Sequence, residues 1–191
     1  MRDVSRLSAK DLFAMFATLE APTLEEMHGE YAARLLQQQN AAFTVAGTAS
    51  LYNAMYPGHW LSKSFRPVDR ERGRGCNGFR HFGKVVSRFP MATLIAPSRF
   101  DGRPAFQLVY RAYVSLFGAM HVVDEVRRLE AGRYLGLGTM GFTSAQRQVP
   151  LPFLLEGPTG PYPGDLGEPR RGFRVESELP ALAAGAVVAP K

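Results

Sequence analysis

Tyr56-Pro57-Gly58-His59-Trp60-Leu61-Ser62-Lys63-Ser64-Phe65 is the stretch on which the fold turns. Pro57-Gly58 breaks whatever precedes it, and from His59 the sequence changes to a period of two, the signature of a pleated strand. Strands are expected near 59–68, 79–88, 92–99, 104–115, 119–128 and 133–141. Turn residues separate them: Arg72-Gly73-Arg74-Gly75 with Asn77-Gly78, Phe89-Pro90, Asp101-Gly102, Phe117-Gly118 and Ala131-Gly132. These connections leave no space for crossover helices, so the strands must run antiparallel. An up-and-down sheet of this size hides its edges by closing into a barrel.

Outside this run the pattern differs. Ser8 caps a helix to about Leu19, with Leu12, Met15 and Phe16 on one face. Thr23-Leu24-Glu25-Glu26 reads as a capping box that opens a second helix to about Gln39. Residues 48–55 fit a short helix or an irregular entry strand. After Pro150, Leu151-Pro152-Phe153-Leu154-Leu155 is apolar and extended, and a strap is expected to about Tyr162, followed by a poorly ordered tail rich in Gly and Pro. The predicted fold is mainly β, an antiparallel barrel with two N-terminal helices and a Pro/Gly-rich C-terminal tail. The expected organisation is a helical segment over 1–57, a barrel core over 58–142 and a strap and tail over 143–191, in one domain.

The 191 residues are 46% hydrophobic and 21% charged, which suffices for one core. The net charge of +6 admits an anionic partner. Cys76, the single cysteine, excludes an internal disulfide and a cysteine-built zinc cluster. The opening residues do not read as a signal peptide, no run approaches a membrane span, and the expected location is the cytoplasm.

Gly58-x-Trp60, followed by the strand meander, resembles the lipocalin or calycin barrels. It is most similar to the small bacterial GXWXG family, named for its Gly-x-Trp-x-Gly motif. Met120 to Arg128 and Tyr134-Leu135-Gly136-Leu137-Gly138 resemble that family's later strands, whereas Ser62 stands at its second glycine. The resemblance covers roughly residues 56–142. It implies a ligand-holding barrel in which Trp60 plugs the closed end and Arg127 or Arg128 packs across it. It implies no catalytic residue and no cofactor.

Alternation divides the strand at 119–128 into two faces. Met120, Val122, Asp124 and Val126 form one; His121, Val123, Glu125 and Arg127 form the other. If the first lines the cavity, Asp124 is a carboxylate in apolar surroundings, suited to general acid or base work. If the second does, His121, Glu125 and Arg127 make a polar stripe for a head group. Phe106, Leu108 and Tyr110 share a face, and the Tyr110 hydroxyl is a candidate partner for a ligand oxygen. His59 and His81 can face one way, without the further ligands that a metal site needs. Gly136 and Gly138 allow something to approach the sheet closely. Gly136-Leu137-Gly138-Thr139-Met140-Gly141 matches a dinucleotide fingerprint in letters but lacks the following helix and parallel strand. Arg66, Arg70, Arg72, Arg74 and Arg80 read as a solvated hairpin before a nucleic-acid patch, and Cys76 within it as a thiol of lowered pKa.

The expected function is to bind a small hydrophobic or amphipathic molecule, with Trp60, Phe65, His81, Phe106, Leu108, Val122, Arg127 and Leu135 as contacts. The alternative is an isomerase, cyclase or dehydratase on the same barrel, using Asp124 or Glu125 with His121 or Tyr110. Nucleic-acid binding through the hairpin at 66–80 comes third. No metal or cofactor is expected, and the oligomeric state is open.

Overall fold

The computed structural model describes residues 3–53 and 55–183. Its elements run α1 (Ala9–Thr18), β1 (Gly29–Leu35), α2 (Ala41–Leu51), β2 (Tyr52–Asn53), β3 (Gly58–Pro67), β4 (Arg72–His81), β5 (Lys84–Pro97), β6 (Pro104–Val109), α3 (Leu116–Ala119), β7 (Val123–Glu130), β8 (Arg133–Thr139), β9 (Leu151–Gly160) and α4 (Pro180–Ala183). β3 to β9 pair in sequence order, and β1 joins β9 to β3. The result is a closed, eight-stranded antiparallel barrel, with β2 a two-residue addition beside β3. Among the described residues, closure leaves no long edge for another chain to pair with.

The barrel draws strands from outside 58–142. The second helix expected at 23–39 is replaced by β1, and the second N-terminal helix is α2. The capping-box bonds do form: Glu26 N donates to Thr23 Oγ1 at 3.1 Å and Thr23 N to Glu26 Oε2 at 3.4 Å. They close one turn only. Tyr31, fully buried, then enters the barrel interior against Phe65 and Tyr134. Tertiary burial of that ring overrides the local helical signal.

The arginine-glycine stretch is strand rather than turn. Gly75 has the Ser64 carbonyl 2.7 Å from where a Cβ would sit, and Gly78 lies against Ser62. These glycines permit close strand approach, and the true turn is Phe82-Gly83, both with positive φ. Phe89-Pro90 is not a turn either. It forms a bulge in β5, where the register with β4 slips between Gly75 and Asn77. The strand expected at 104–115 ends at Val109 and gives way to a single 3-10 turn at Tyr110–Ala112.

Apolar residues pack on both sides of the wall. Inside lie Tyr31, Phe65, Phe79, Met91, Phe106 and Val126. Outside, α1 sets Leu12 and Phe16 against Leu135, Leu137 and Leu154. Leu24 and Met27, in the segment before β1, are buried with the interior cluster at the end where Glu26 meets Tyr134. After Tyr162 the described chain runs on to Ala183, and Leu179 is buried beside Ala96, Val109 and Val123. The tail stays on the barrel because this outer apolar patch needs cover.

Candidate functional site

β3 carries a bulge between Trp60 and Ser62. Strict alternation from Trp60 would send Ser62 inward and Lys63 outward. The extra residue reverses this, and Trp60, Lys63 and Phe65 all reach the interior. Ser62 instead donates to Glu30 Oε1 at 2.5 Å. Lys63 therefore sits inside a barrel, 3% exposed.

Its ammonium group is fully engaged. Nζ lies 2.7 Å from Asp124 Oδ2 and 3.0 Å from Asn77 Oδ1, donating to both, and donates to the Tyr110 hydroxyl at 2.5 Å. Tyr110 in turn donates to Asp124 Oδ2 at 3.1 Å, and Asn77 Nδ2 donates to Tyr110 at 3.0 Å. Trp60 Nε1 donates to Asn77 Oδ1 at 3.2 Å. The rings of Trp60, Tyr110 and Phe153 lie 5.2–5.3 Å from Nζ. Both Asp124 bonds fall on Oδ2. Oδ1 stands beside Gly138, where a Cβ would come within 2.9 Å of it.

Burial dominates the electrostatics of this cluster. It pulls Lys63 below its ordinary range, against the opposing attraction of Asp124. The Tyr110 hydroxyl is pushed well above its ordinary value by burial and by the Asp124 charge, and so stays protonated.

Above the cluster is a cavity of about 70 Å³. Leu35, Leu51, Phe117, Met120, Met140 and Phe153 supply its apolar wall, so α2 and α3 form its roof. Such a space exceeds what one water requires. The arrangement is an apolar chamber with one polar wall that combines a cation, a carboxylate, a hydroxyl and an amide.

Several anticipated residues meet here. Trp60, Tyr110, Val122 and Asp124 all line the cavity, which settles the inward face of β7 as that of Asp124 and Val126. Phe65, Phe106 and Leu108 are inside the barrel, in the core outside the cavity lining. Trp60 stands in the half roofed by α2 and α3; Leu24 and Met27 fill the other end.

Others lie elsewhere. Leu135 packs outside under α1. Arg127 also faces outward, stacked 4.5 Å over Phe16 and paired with Asp101 through two 2.7 Å bonds, and it does not pack across Trp60. Glu125 is on the outer side, accepting from Arg99 N at 2.8 Å, and burial raises its pKa. His121 precedes β7 in a left-handed conformation (φ 53°) and bonds Glu178 at 2.9 Å. His81 ends β4, where it contacts the Met55 carbonyl and Arg88. Strand alternation puts Glu125 and Arg127 on the outer face of β7 and Leu135 on that of β8, while His121 and His81 lie at strand ends. The close approach at Gly136 and Gly138 comes from the Phe153 ring and from Asp124.

Lys63 and Asn77 are the residues that sequence reasoning missed. A signal was present: Lys63 lies two positions before Phe65, a core aromatic. In the basic hairpin, Arg66 and Arg74 are tied to Asp165 at 2.6 and 3.1 Å, and Arg70 and Arg72 line an outer groove. Burial pushes the Cys76 thiol up to about 11, contrary to the lowering expected from its basic surroundings. Among the described residues no group of three metal-ligating side chains occurs, and no helix is long and apolar enough to cross a membrane.

No family model matches the chain, and no curated protein matches it. A solved structure, the crystal structure of a protein from Thermomonospora curvata, is similar at 15% identity, over 78% of this chain and 87% of that one, with a TM-score of 0.49.

Proposed function

We propose that the barrel binds a small, mostly apolar molecule whose one polar group seats on Lys63, Asp124, Tyr110 and Asn77. The observation that carries this is a buried cation and carboxylate facing an otherwise apolar chamber. Apolar walls supply affinity without direction, and a few fixed polar groups set orientation. Fatty-acid, terpenoid and polyketide-type compounds have the required character. Kinship with the GXWXG family belongs to the same proposal, as does a cytoplasmic location.

Trp60 is the only tryptophan in the chain and lines the cavity, so its fluorescence reports on the chamber alone. Titration with a panel of such compounds should give a saturable change that the bulky Val122→Phe variant abolishes. A panel without any saturable response, together with an organic extract of the purified protein that contains no apolar compound, would sink the proposal.

The contact between Tyr110 and Asp124 favours a second reading, an acid-base enzyme on the same ligand. Asp124→Asn separates the two. A carrier keeps its Trp60 response, whereas an isomerase, cyclase or dehydratase keeps binding and loses turnover of the extracted compound.

A further inference from the structure

We propose that Lys63 captures a carbonyl compound as an imine, so that the polar group received by the cavity is an aldehyde or ketone. This rests on the ligand binding proposed above and goes further by naming the atom that reacts. Three features point to it. Among the described residues, Nζ is the one amine on the chamber wall. Beside it stand a carboxylate at 2.7 Å and a hydroxyl at 2.5 Å, the proton carriers that imine formation needs. Around it are three aromatic faces and the Asp124 charge, a setting that holds a cation at that nitrogen before and after reaction.

The chemistry balances without any further reagent. Asp124 Oδ2 takes a proton from the Nζ ammonium and frees the nitrogen lone pair. That pair forms the C–N bond as the carbonyl π pair moves to oxygen. A proton passes from nitrogen to that oxygen through the Tyr110 hydroxyl, giving a neutral carbinolamine. Asp124 returns its proton to the carbinolamine hydroxyl, the C–O bond breaks, and water leaves while nitrogen closes the C=N bond. The ammonium has become an iminium, Asp124 is again its carboxylate partner, and one water is released. Burial favours the first step, since it lowers the proton affinity of the amine.

The chain supplies its own controls: Lys10 and Lys84 are exposed lysines on α1 and β5. The full chain is incubated near neutral pH with limiting hexanal and cyanoborohydride, which reduces an imine to a stable hexyl-amine, and peptides are mapped by mass. The expected result is a hexyl group on Lys63 ahead of Lys10 and Lys84. Labelling of Lys10 and Lys84 with Lys63 untouched overturns the inference. Asp124→Asn should slow labelling of Lys63 by roughly tenfold or more and leave Lys84 unchanged. An unchanged rate at Lys63 removes Asp124 from the mechanism and overturns it. Where thermal melting shows that this variant does not fold, Tyr110→Phe is used with the same expected and overturning outcomes. Titration with 1-hexanol, which has the same body without the carbonyl, separates the two proposals. A saturable Trp60 response to hexanol with no hexyl on Lys63 overturns the imine and leaves ligand binding in place. No Trp60 response to hexanol or hexanal, with no hexyl on Lys63, overturns both for this ligand class.

Discussion

β7 contributes a buried, ion-paired charge to each face, Asp124 inside and Arg127 outside, and the two differ in what surrounds them. On the outer face, Arg127 spends its guanidinium on Asp101 and on the carbonyls of Phe16, Arg103 and Pro104 at 2.9–3.0 Å. It fastens α1 and the β5–β6 loop to the wall and offers nothing to a ligand. On the inner face, Lys63 and Asp124 meet beside a chamber, and their neighbours are proton-bearing side chains rather than backbone. Burial of charge alone therefore does not mark a site. What distinguishes the inner pair is space in front of it and partners that can exchange protons.

Substitutions can break this contrast, and the largest effect should come from the outer pair. Arg127→Met leaves the carbonyls of Phe16, Arg103 and Pro104 without their buried guanidinium donor and should cost about 4 kcal/mol in urea unfolding. Adding Asp101→Asn should recover little, because the carbonyls remain unpaired. Lys63→Met strands Asp124 in the barrel and should cost about 3 kcal/mol. Here the double variant Lys63→Met/Asp124→Leu should return to within about 1 kcal/mol of the wild type, since an apolar chamber accepts apolar replacements. Recovery of the outer pair and not the inner one would reverse the assignment.

Smaller changes sharpen it. Gly136→Ala drives a methyl into the Phe153 ring and should cost about 2 kcal/mol, with Gly138→Ala costing about 1 kcal/mol. Of the two, only Gly138 lines the cavity, where the added methyl takes up ligand space, so only the second should weaken the Trp60 response.

The two faces also carry opposite pH signatures. The folded pKa of Lys63 is lowered, so below its ordinary value of about 10.4 the unfolded chain holds the proton more tightly. Wild-type stability, measured against the Lys63→Met/Asp124→Leu variant, should rise with pH across the window that ends there. The folded pKa of Glu125 is raised, so the folded chain holds the proton more tightly above the ordinary value of about 4.3. Wild-type stability relative to Glu125→Gln should fall as pH rises through that window. Slopes of the same sign would contradict the environments described for Lys63 and Glu125.

Legibility in the sequence followed the range of the interactions. α1 was readable because its cap and its apolar face lie within one helix: Ser8 Oγ accepts from Asp11 N at 3.2 Å, and Leu12 and Phe16 are buried. The even-numbered face of β7 could be listed but not oriented. Both faces contain an acid among apolar residues, and both are buried, one by the barrel and the other by α1 and the C-terminal segment. Lys63 escaped notice because a lysine inside a core is rare and because a single-residue bulge changed its face.

The sequence by itself determined an antiparallel, mainly β chain with a tryptophan strand, since alternation and turn residues act over a few positions. Only the tertiary structure decided that β1 and β9 complete the ring, that Tyr31 abandons its capping-box helix, and that Lys63 meets Asp124, 61 residues away. Those outcomes depend on which surfaces are covered once the chain closes, and no local pattern encodes the partner that covers them.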